Sequence, residues 1–329
     1  MGLTIGVDVG GTKILAGVVD ATGRIVASER IGTPNTTPAA MVEAIATLVR
    51  RLRAEHVIEA VGIGAAGFVA RDRRTVLFAP NLVWRDEPLA ERVATAVQLP
   101  VVVENDANCH AWGEYRFGAG RGHHHVAVVA IGTGVGGGLI IDGRLYRGSG
   151  GVSGEFGHLV VVPDGLPCGC GRRGCWEQYC SGLALVRNAA QMLREEPARL
   201  PWLRSQIGDN ADEITGPLVT SAADAGDPGA IACFDVIGRW IGVGLAIIAT
   251  SLDPACIVVG GGVADASEFV LGPARAALEK ELGSSRPFVN ASIVPAELGS
   301  SAGVVGAADL ARLREGDEHG ADPTPGAAG

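Results

Sequence analysis

The chain has 329 residues, 47% of them apolar and 19% charged, which excludes a disordered protein and leaves room for about two domains. Lys plus Arg number 27 against 36 Asp plus Glu, giving a net charge of −9, so no nucleic-acid partner is expected. No uninterrupted apolar run reaches the ~18 residues of a membrane span, since the nearest, 241–252, is short and interrupted by Gly242 and Gly244. No membrane partner is expected either.

Residues 3–9 read as a strand, Gly10-Gly11-Thr12 as a turn, 13–19 as a second strand and, after the turn at 20–23, 24–31 as a third. This is a meander with Gly/Asp turn chemistry. A helix is predicted over 38–55, with Met41, Ile45, Leu48, Val49 and Leu52 on one face and Arg50, Arg51 and Arg53 near its end. A buried strand at 60–65, a helix at 87–97 and a buried strand at 101–104 follow, and Asp106 opens a helix to 117. The meander then returns: a strand at 126–131, a glycine cluster at 132–138, and 139–141 leading into the Asp142-Gly143 turn. At one constant offset Gly10 aligns on Gly132, Asp20 on Asp142, and Val9, Val18 and Val19 on Ile131, Ile140 and Ile141, which suggests a duplicated unit. Helices are predicted at 176–194 and 228–250, a strand at 256–259 running into Gly260–Gly262, a helix at 267–282, a strand at 288–294 and a last helix at 301–314. The remaining tail, rich in Gly, Pro, Ala and acidic residues, reads as disordered. Strands alternating with helices make the class α/β.

Glycine, at 49 residues, is about twice the ~7% norm and concentrates after apolar runs, where a backbone can approach a ligand closely. In Asp8-Val-Gly-Gly-Thr-Lys13, Gly10 and Gly11 can turn amides toward a phosphate, Thr12 adds a hydroxyl, Lys13 a charge, and Asp8 a carboxylate for hydrated Mg²⁺. The plainer reading is a glycine hairpin whose Asp caps its own turn. Gly132-Thr-Gly-Val-Gly-Gly-Gly138 occupies the matching place of the second half, and two such turns suit a polyphosphate. Glu104-Asn-Asp-Ala-Asn108 lies where a buried strand meets a helix, the end of an α/β sheet at which ligands sit. There Asp106 is either a general base for a hydroxyl attacking phosphorus or an ordinary helix cap, and Asn105 can hold a neighbouring hydroxyl.

His158, Cys168, Cys170 and Cys175 give one imidazole and three thiols within a short glycine-rich stretch. That set makes a closed tetrahedral zinc site of the structural kind; a Cys168–Cys175 disulfide or inert thiols are the alternatives. Cys180 is a spare candidate ligand, while Cys109, Cys233 and Cys256 read as buried thiols. Seven cysteines is an odd number, and the first residues carry neither the basic stretch nor the apolar run of a secretory leader. Reduced thiols and a cytoplasmic location are therefore expected. Glu155 and Glu177 flank the cluster and suit a polyhydroxylated ligand, whereas His123-His-His125 reads as a solvated loop.

Taken in order, Asp8-Val-Gly-Gly-Thr12, Asn105-Asp106, Gly132–Gly138, Glu155-Phe-Gly-His158, Cys168-x-Cys170-x4-Cys175, Trp176-Glu177 and Gly260-Gly-Gly262 resemble the ROK family of sugar kinases and repressors, and within it the ATP-dependent bacterial glucokinases. The resemblance covers most of the chain. It implies a duplicated ribonuclease-H-like, actin- and hexokinase-like two-domain fold with a central cleft. The first domain would comprise 1–117 plus about 300–315, the second 118–299 with the zinc site, and 316–329 would be a disordered tail. It implies Asp106 as catalytic base for the 6-hydroxyl of glucose, with Gly67, Asn81, Asn105, Glu155, His158 and Glu177 as sugar contacts. Asp8, Gly10, Gly11, Thr12, Lys13, Thr133, Gly134, Gly261 and Gly262 would serve ATP and Mg²⁺, and His158, Cys168, Cys170 and Cys175 structural Zn²⁺. Relatives of this kind are commonly homodimers or homotetramers. Kinases for N-acetylmannosamine, N-acetylglucosamine, fructose or allose, a polyphosphate donor, and a sugar-sensing regulator are the alternatives the same family offers; a regulator would carry a helix-turn-helix ahead of the core, for which the phosphate turn starts too early.

Overall fold

The structure, a computed structural model, describes residues 2–264 and 267–313; the end of the last predicted helix and the predicted tail lie outside these residues. The chain runs β1 (Leu3–Val9), β2 (Lys13–Val19), β3 (Ile25–Gly32), α1 (Pro38–Glu55), β4 (Ile58–Ala65), β5 (Phe68–Val69), β6 (Val76–Phe78), β7 (Arg85–Glu87), α2 (Leu89–Val97), β8 (Val101–Asn105) and α3 (Asp106–Phe117). It continues through β9 (Val126–Ile131), β10 (Val135–Ile141), β11 (Arg144–Leu145), α4 (Glu177–Cys180), α5 (Gly182–Glu195), α6 (Pro201–Ile207), α7 (Gly216–Asp224) and α8 (Pro228–Leu252). It ends with β12 (Cys256–Gly260), α9 (Ser267–Leu282), β13 (Ser292–Pro295) and α10 (Ala302–Leu310).

Two five-stranded sheets carry the fold, ordered β3-β2-β1-β4-β8 and β11-β10-β9-β12-β13. In each, the third, second, first, fourth and fifth strands of a series lie side by side, so the repeat seen in the residues is a repeat of topology. β1 pairs antiparallel with β2 and parallel with β4, and β4 runs parallel to β8. β12 runs parallel to β13. Parallel neighbours buried on both faces account for the continuous apolar runs at 60–65 and 256–259.

The chain forms two compact units. One comprises the chain up to Val128, Gly137–Gly154 and the chain from Ala296; the other comprises Val129–Gly136 and Glu155–Pro295. In the first unit the apolar face of α1, with Met41, Ile45, Leu48 and Val49 fully buried, packs with α2 into the main core. Helix α10 returns to this unit and packs on β1, β4 and α3. It comes close because Gly6 and Gly62 have no side chains; a Cβ at either would collide with the backbone of Val304 or Ala307. Thr4 Oγ1 donates to the Ala308 carbonyl at 2.8 Å.

The structure corrects several predicted elements. The glycine cluster is not all turn, because β10 already starts at Val135. Gly138 is a strand residue whose bare Cα lets α3 approach, since a Cβ there would meet Ala111. The predicted helix over 176–194 is two helices: Ser181 is extended, with ψ 172°, and its Oγ accepts from the Ala184 amide to start α5. Helices α6 and α7 and the small β5-β6-β7 sheet have no counterpart in the prediction. The strand expected over 288–294 shrinks to Ser292–Pro295 because a 3-10 turn containing Pro287 precedes it. Helix α8 is long and apolar enough to cross a membrane by length and composition, with a mean hydropathy of 1.9, although no uninterrupted apolar run is. Yet 56% of that window is buried against the rest of the structure, and α8 packs on α9, α5, α7 and α4, the surroundings of a core helix.

Candidate active site

In the first unit the turn after β1 is a tight hairpin. The Gly10 amide donates to the Lys13 carbonyl at 3.0 Å and the Gly10 carbonyl accepts from Thr33 Oγ1 at 2.7 Å. Gly10 therefore shapes the turn instead of offering its amide to a phosphate. Gly11 faces open space, and Thr12 and Lys13 are exposed beside it. Burial pushes the Asp8 carboxyl above the usual carboxylate range, against the pull of His110 and Lys13. A partly desolvated carboxylate of this kind is suited to a bound cation.

Asn105 ends β8 and caps α3: its Oδ1 accepts from the Asn108 amide at 3.0 Å, while its Nδ2 donates to the Gly67 carbonyl at 3.0 Å. Each end of the Asn105 amide keeps one further hydrogen-bonding position. Asp106 is then the first helical residue and is not the cap, so the ordinary reason for an Asp at such a junction does not apply to it. An acid in the first turn is also favoured by the helix dipole.

Glu104 lies beneath this junction, with its side chain 4% exposed. Its Oε1 accepts from the Asn105 amide and from Asn108 Nδ2, both at 3.0 Å; its Oε2 accepts from Arg147 Nε at 2.6 Å and lies 3.7 Å from Arg73 Nε. Gly67 is packed so that a Cβ would press on the Phe78 carbonyl at 2.6 Å. Asn81 is exposed, on a loop held by Asn35, whose Nδ2 donates to the Asn81 carbonyl at 2.8 Å and whose Oδ1 accepts from the Val83 amide at 2.9 Å.

In the second unit, Glu155, His158 and Glu177 gather with the thiols. His158 Nδ1 lies 3.7 Å from Glu177 Oε1 and 3.7 Å from Cys168 Sγ, and Cys168 Sγ donates to Glu177 Oε1 at 3.0 Å. Burial raises the Glu155 carboxyl, which the His158 ring lowers and Glu177 raises further. The ligand atoms of His158, Cys168, Cys170 and Cys175 all lie within 4.8 Å of one another. Zinc bonds of about 2.3 Å to sulfur and about 2.0 Å to nitrogen imply tetrahedral edges of roughly 3.8 Å for S···S and roughly 3.5 Å for S···N. The observed Cys170–Cys175 distance is 3.6 Å and the Cys168–His158 distance 3.7 Å, so the donor set fits Zn²⁺ held through Nδ1. Gly174 makes the loop possible: with φ +78° it lies against the Val162 carbonyl, where no side chain fits. The loop is anchored by Trp176, whose Nε1 donates to the Trp240 carbonyl in α8 at 2.6 Å. Cys180 stands apart, buried, with its thiol on the Trp176 carbonyl at 3.4 Å. All seven cysteines are free thiols.

The turn after β9 borders a cavity of about 600 Å³. Gly132, Thr133 and Gly262 lie at one end, and Leu183 and Val186 of α5 and Pro217 and Thr220 of α7 form its walls. Gly134 does not line it; a Cβ there would come within 2.9 Å of Glu177 Oε2. Gly261, at φ +91°, is a structural glycine pressed on the Ile131 backbone, whereas Gly262 faces open space. The apolar walls were missed from the sequence because α7 was not foreseen. His125 lies on an exposed loop, yet its Nε2 comes within 3.5 Å of Asp142, a carboxylate that the linear sequence did not set beside it.

Residues 4–314 match the ROK family. The chain is similar to the glucokinase of Streptomyces coelicolor, at 53% identity over 314 residues, covering 95% of this chain and 98% of the relative. Its structure is similar to that of a ROK family glucokinase from Streptomyces griseus in complex with glucose and AMPPNP, with a TM-score of 0.87 and 53% identity over 94% of this chain and 99% of that one. It is also similar to a ROK hexokinase from Thermus thermophilus, with a TM-score of 0.77 and 32% identity over 96% and 99%. Motifs, duplicated sheets and near full-length matches agree: this chain belongs to the ROK family.

Proposed function

We propose that this chain is an ATP-dependent glucokinase that transfers the γ-phosphoryl group of ATP to the 6-hydroxyl of glucose. The observation that carries this reading is the 53% identity, over 94% of the chain, to the Streptomyces griseus enzyme whose structure holds glucose and AMPPNP. The 6-oxygen attacks the γ-phosphorus, its proton passes to Asp106, and the bond from phosphorus to the β,γ-bridging oxygen breaks to release ADP. The capping arrangement supports this assignment, because Asn105 secures the helix start and Asp106 is not needed there.

Asn81, Asn105, Glu155, His158 and Glu177, with backbone near Gly67, read the sugar hydroxyls. Gly11, Thr12, Lys13, Thr133 and Gly134 serve the phosphates. Gly262 and the apolar walls of the second-unit cavity take the nucleobase, while Gly10 and Gly261 shape their turns. Asp8 is the carboxylate suited to Mg²⁺, which when bound supplies charge neutralisation to the phosphates. His158, Cys168, Cys170 and Cys175 hold Zn²⁺ as a structural ion that fixes the loop between Glu155 and Glu177.

Seven free thiols suit a reducing cytoplasm. We assign a homodimer or homotetramer, which light scattering on the purified chain decides.

The test is a coupled assay of a hexose panel, including N-acetylmannosamine, N-acetylglucosamine, fructose and allose, against ATP and polyphosphate with Mg²⁺. Glucose with ATP is expected to give the highest kcat/KM. Asp106→Asn should lower kcat by roughly 10²–10⁴ with glucose affinity kept. Near-normal turnover in that variant removes Asp106 from the reaction.

A further inference from the structure

Asn81 stands in the loop that joins β6 to β7, and one side chain gathers that loop. Arg85, the first residue of β7, turns its guanidinium back over it: Nη1 donates to the carbonyls of Ala79, Leu82 and Trp84 at 2.7, 3.0 and 2.5 Å. A single Nη1 carries two hydrogens, so the three carbonyls share them. The backbone adds the Ala79 amide to the Trp84 carbonyl at 3.2 Å and the Leu82 amide to the Ala79 carbonyl at 3.3 Å. Leu82 and Trp84 are buried, whereas Asn81 is exposed.

The guanidinium is itself fixed. Its carbon lies 4.1 Å from the centre of the Phe78 ring, the cross-strand partner of Arg85 in β6, where the face of the ring attracts a cation. Phe78 stacks in turn on Phe68, its partner in β5, with centroids 6.4 Å apart and planes 25° apart. Phe68 follows Gly67, whose carbonyl holds Asn105 Nδ2 at 3.0 Å. The Arg85–Phe78–Phe68 stack therefore runs from the Asn81 loop to the backbone that holds Asn105. Asn35 binds the same loop through the Asn81 carbonyl and the Val83 amide. Between them, Arg85 and Asn35 occupy the carbonyls of Ala79, Asn81, Leu82 and Trp84. A loop tied in this way has little freedom left to lose when a ligand arrives.

We propose that Arg85 is a positioning residue for sugar recognition: it holds the 79–84 loop in the conformation in which Asn81 meets a hydroxyl of the hexose. The inference rests on the sugar-reading role proposed for Asn81 above and adds the residue that keeps Asn81 in place. Arg suits the task. A flat, weakly hydrated guanidinium lies on a ring while its edge donates to carbonyls, which a compact, strongly hydrated ammonium does poorly. Without Arg85 the loop keeps Asn35 and its buried side chains but spends only part of its time in the binding conformation, and sugar affinity falls by that fraction.

The test is a coupled assay of the parent chain, Arg85→Ala and Asn81→Ala with ATP, glucose and the deoxyglucoses that lack one ring hydroxyl. Arg85→Ala is expected to raise the KM for glucose about tenfold, as when the binding conformation falls to about one-tenth of the population. Its kcat and its KM for ATP should stay within about twofold of the parent. The deoxy sugar whose KM changes least in Asn81→Ala should also be the one whose KM changes least in Arg85→Ala, a pattern that general loosening of the fold would not give. Arg85→Gln, whose side chain ends two atoms sooner, should behave alike and serves if Arg85→Ala does not fold. A parent-like KM for glucose, equal rises in both KM values, or a different sugar spared overturns the proposal. An unchanged KM for glucose in Asn81→Ala instead removes Asn81 from sugar recognition, and a parent chain that phosphorylates none of these sugars removes the kinase reading; the proposal falls with either.

Discussion

Replacing Glu104 by Gln keeps the shape of the side chain and removes its charge. In the structure one oxygen faces Arg147 Nε at 2.6 Å and Arg73 Nε at 3.7 Å, and the other accepts two hydrogen bonds at 3.0 Å, all at 4% exposure. Gln retains the second set through its carbonyl oxygen but turns an NH₂ donor toward guanidinium donors. Removing one member of a buried pair typically costs about 3–5 kcal/mol, and the retained hydrogen bonds place Glu104→Gln near the lower end. At roughly 1.4 °C per kcal/mol for a chain of 329 residues, the melting temperature should fall by about 4–5 °C. Scanning calorimetry at neutral pH measures it. A fall under ~2 °C in Glu104→Gln would show that the junction below Asp106 is not held by this pair, and the reasoning fails.

Metal analysis should find about one zinc per chain, and Cys175→Ser should lose it together with glucose affinity, raising KM by about an order of magnitude with a smaller effect on kcat; a metal-free, fully active preparation contradicts this. Burial raises the Asp8 carboxyl above its ordinary range, so ionising it costs stability: the cost is absent at low pH, where the carboxyl is protonated folded and unfolded alike, and is complete once pH has risen through the folded pKa. Asp8→Asn should therefore melt higher than the parent at neutral pH, with the gap closing toward pH 3, while activity with Mg²⁺ drops; a variant that melts lower at pH 7 refutes the sign. Among the described residues, the polar side chains lining the second-unit cavity are Thr133 and Thr220, and Thr220 Oγ1 already donates to the Gly216 carbonyl at 3.2 Å. A slot of that kind reads shape more than base edges, so kcat/KM for GTP should lie within roughly 200-fold of that for ATP; a 10⁴-fold preference would mean that backbone groups read the base.

The fold was legible where periodicity and turn chemistry act locally. The meander follows from apolar runs separated by Gly/Asp turns, α1 from its apolar face behind Thr37-Pro38, α3 from its start at Asp106, and the strands at 58–65 and 256–260 from continuous apolar runs. It was not legible where a distant residue does the work. Helices α6 and α8 both start on Asp227, whose Oδ2 accepts from the Trp202 and Leu203 amides at 2.9 and 3.0 Å, and whose Oδ1 accepts from Gly229 and Ala230. One buried carboxylate capping two helices leaves no pattern along the chain at α6. Gly138 reads as a loop residue until α3 is packed against it.

The candidate site divides in the same way. The His/Cys cluster declares itself because its members are close in sequence and chemically rare. The Glu104-Asn105-Asp106 run marks a strand-to-helix junction, but which residue caps depends on backbone angles that composition does not fix. With Asn105 at φ −61° and ψ 142°, the amide side chain becomes the cap and Asp106 enters the helix. A single-residue shift in where β8 ends would reverse those parts and leave the acid holding the Asn108 amide. Glu104 selects between the two: accepting the Asn105 amide while clamped to Arg147, it fixes the last residue of the strand. An acid in an otherwise apolar strand signals that a cation must lie nearby. Arg147, separated from it by 43 residues, could not be named as that cation until the chain was folded.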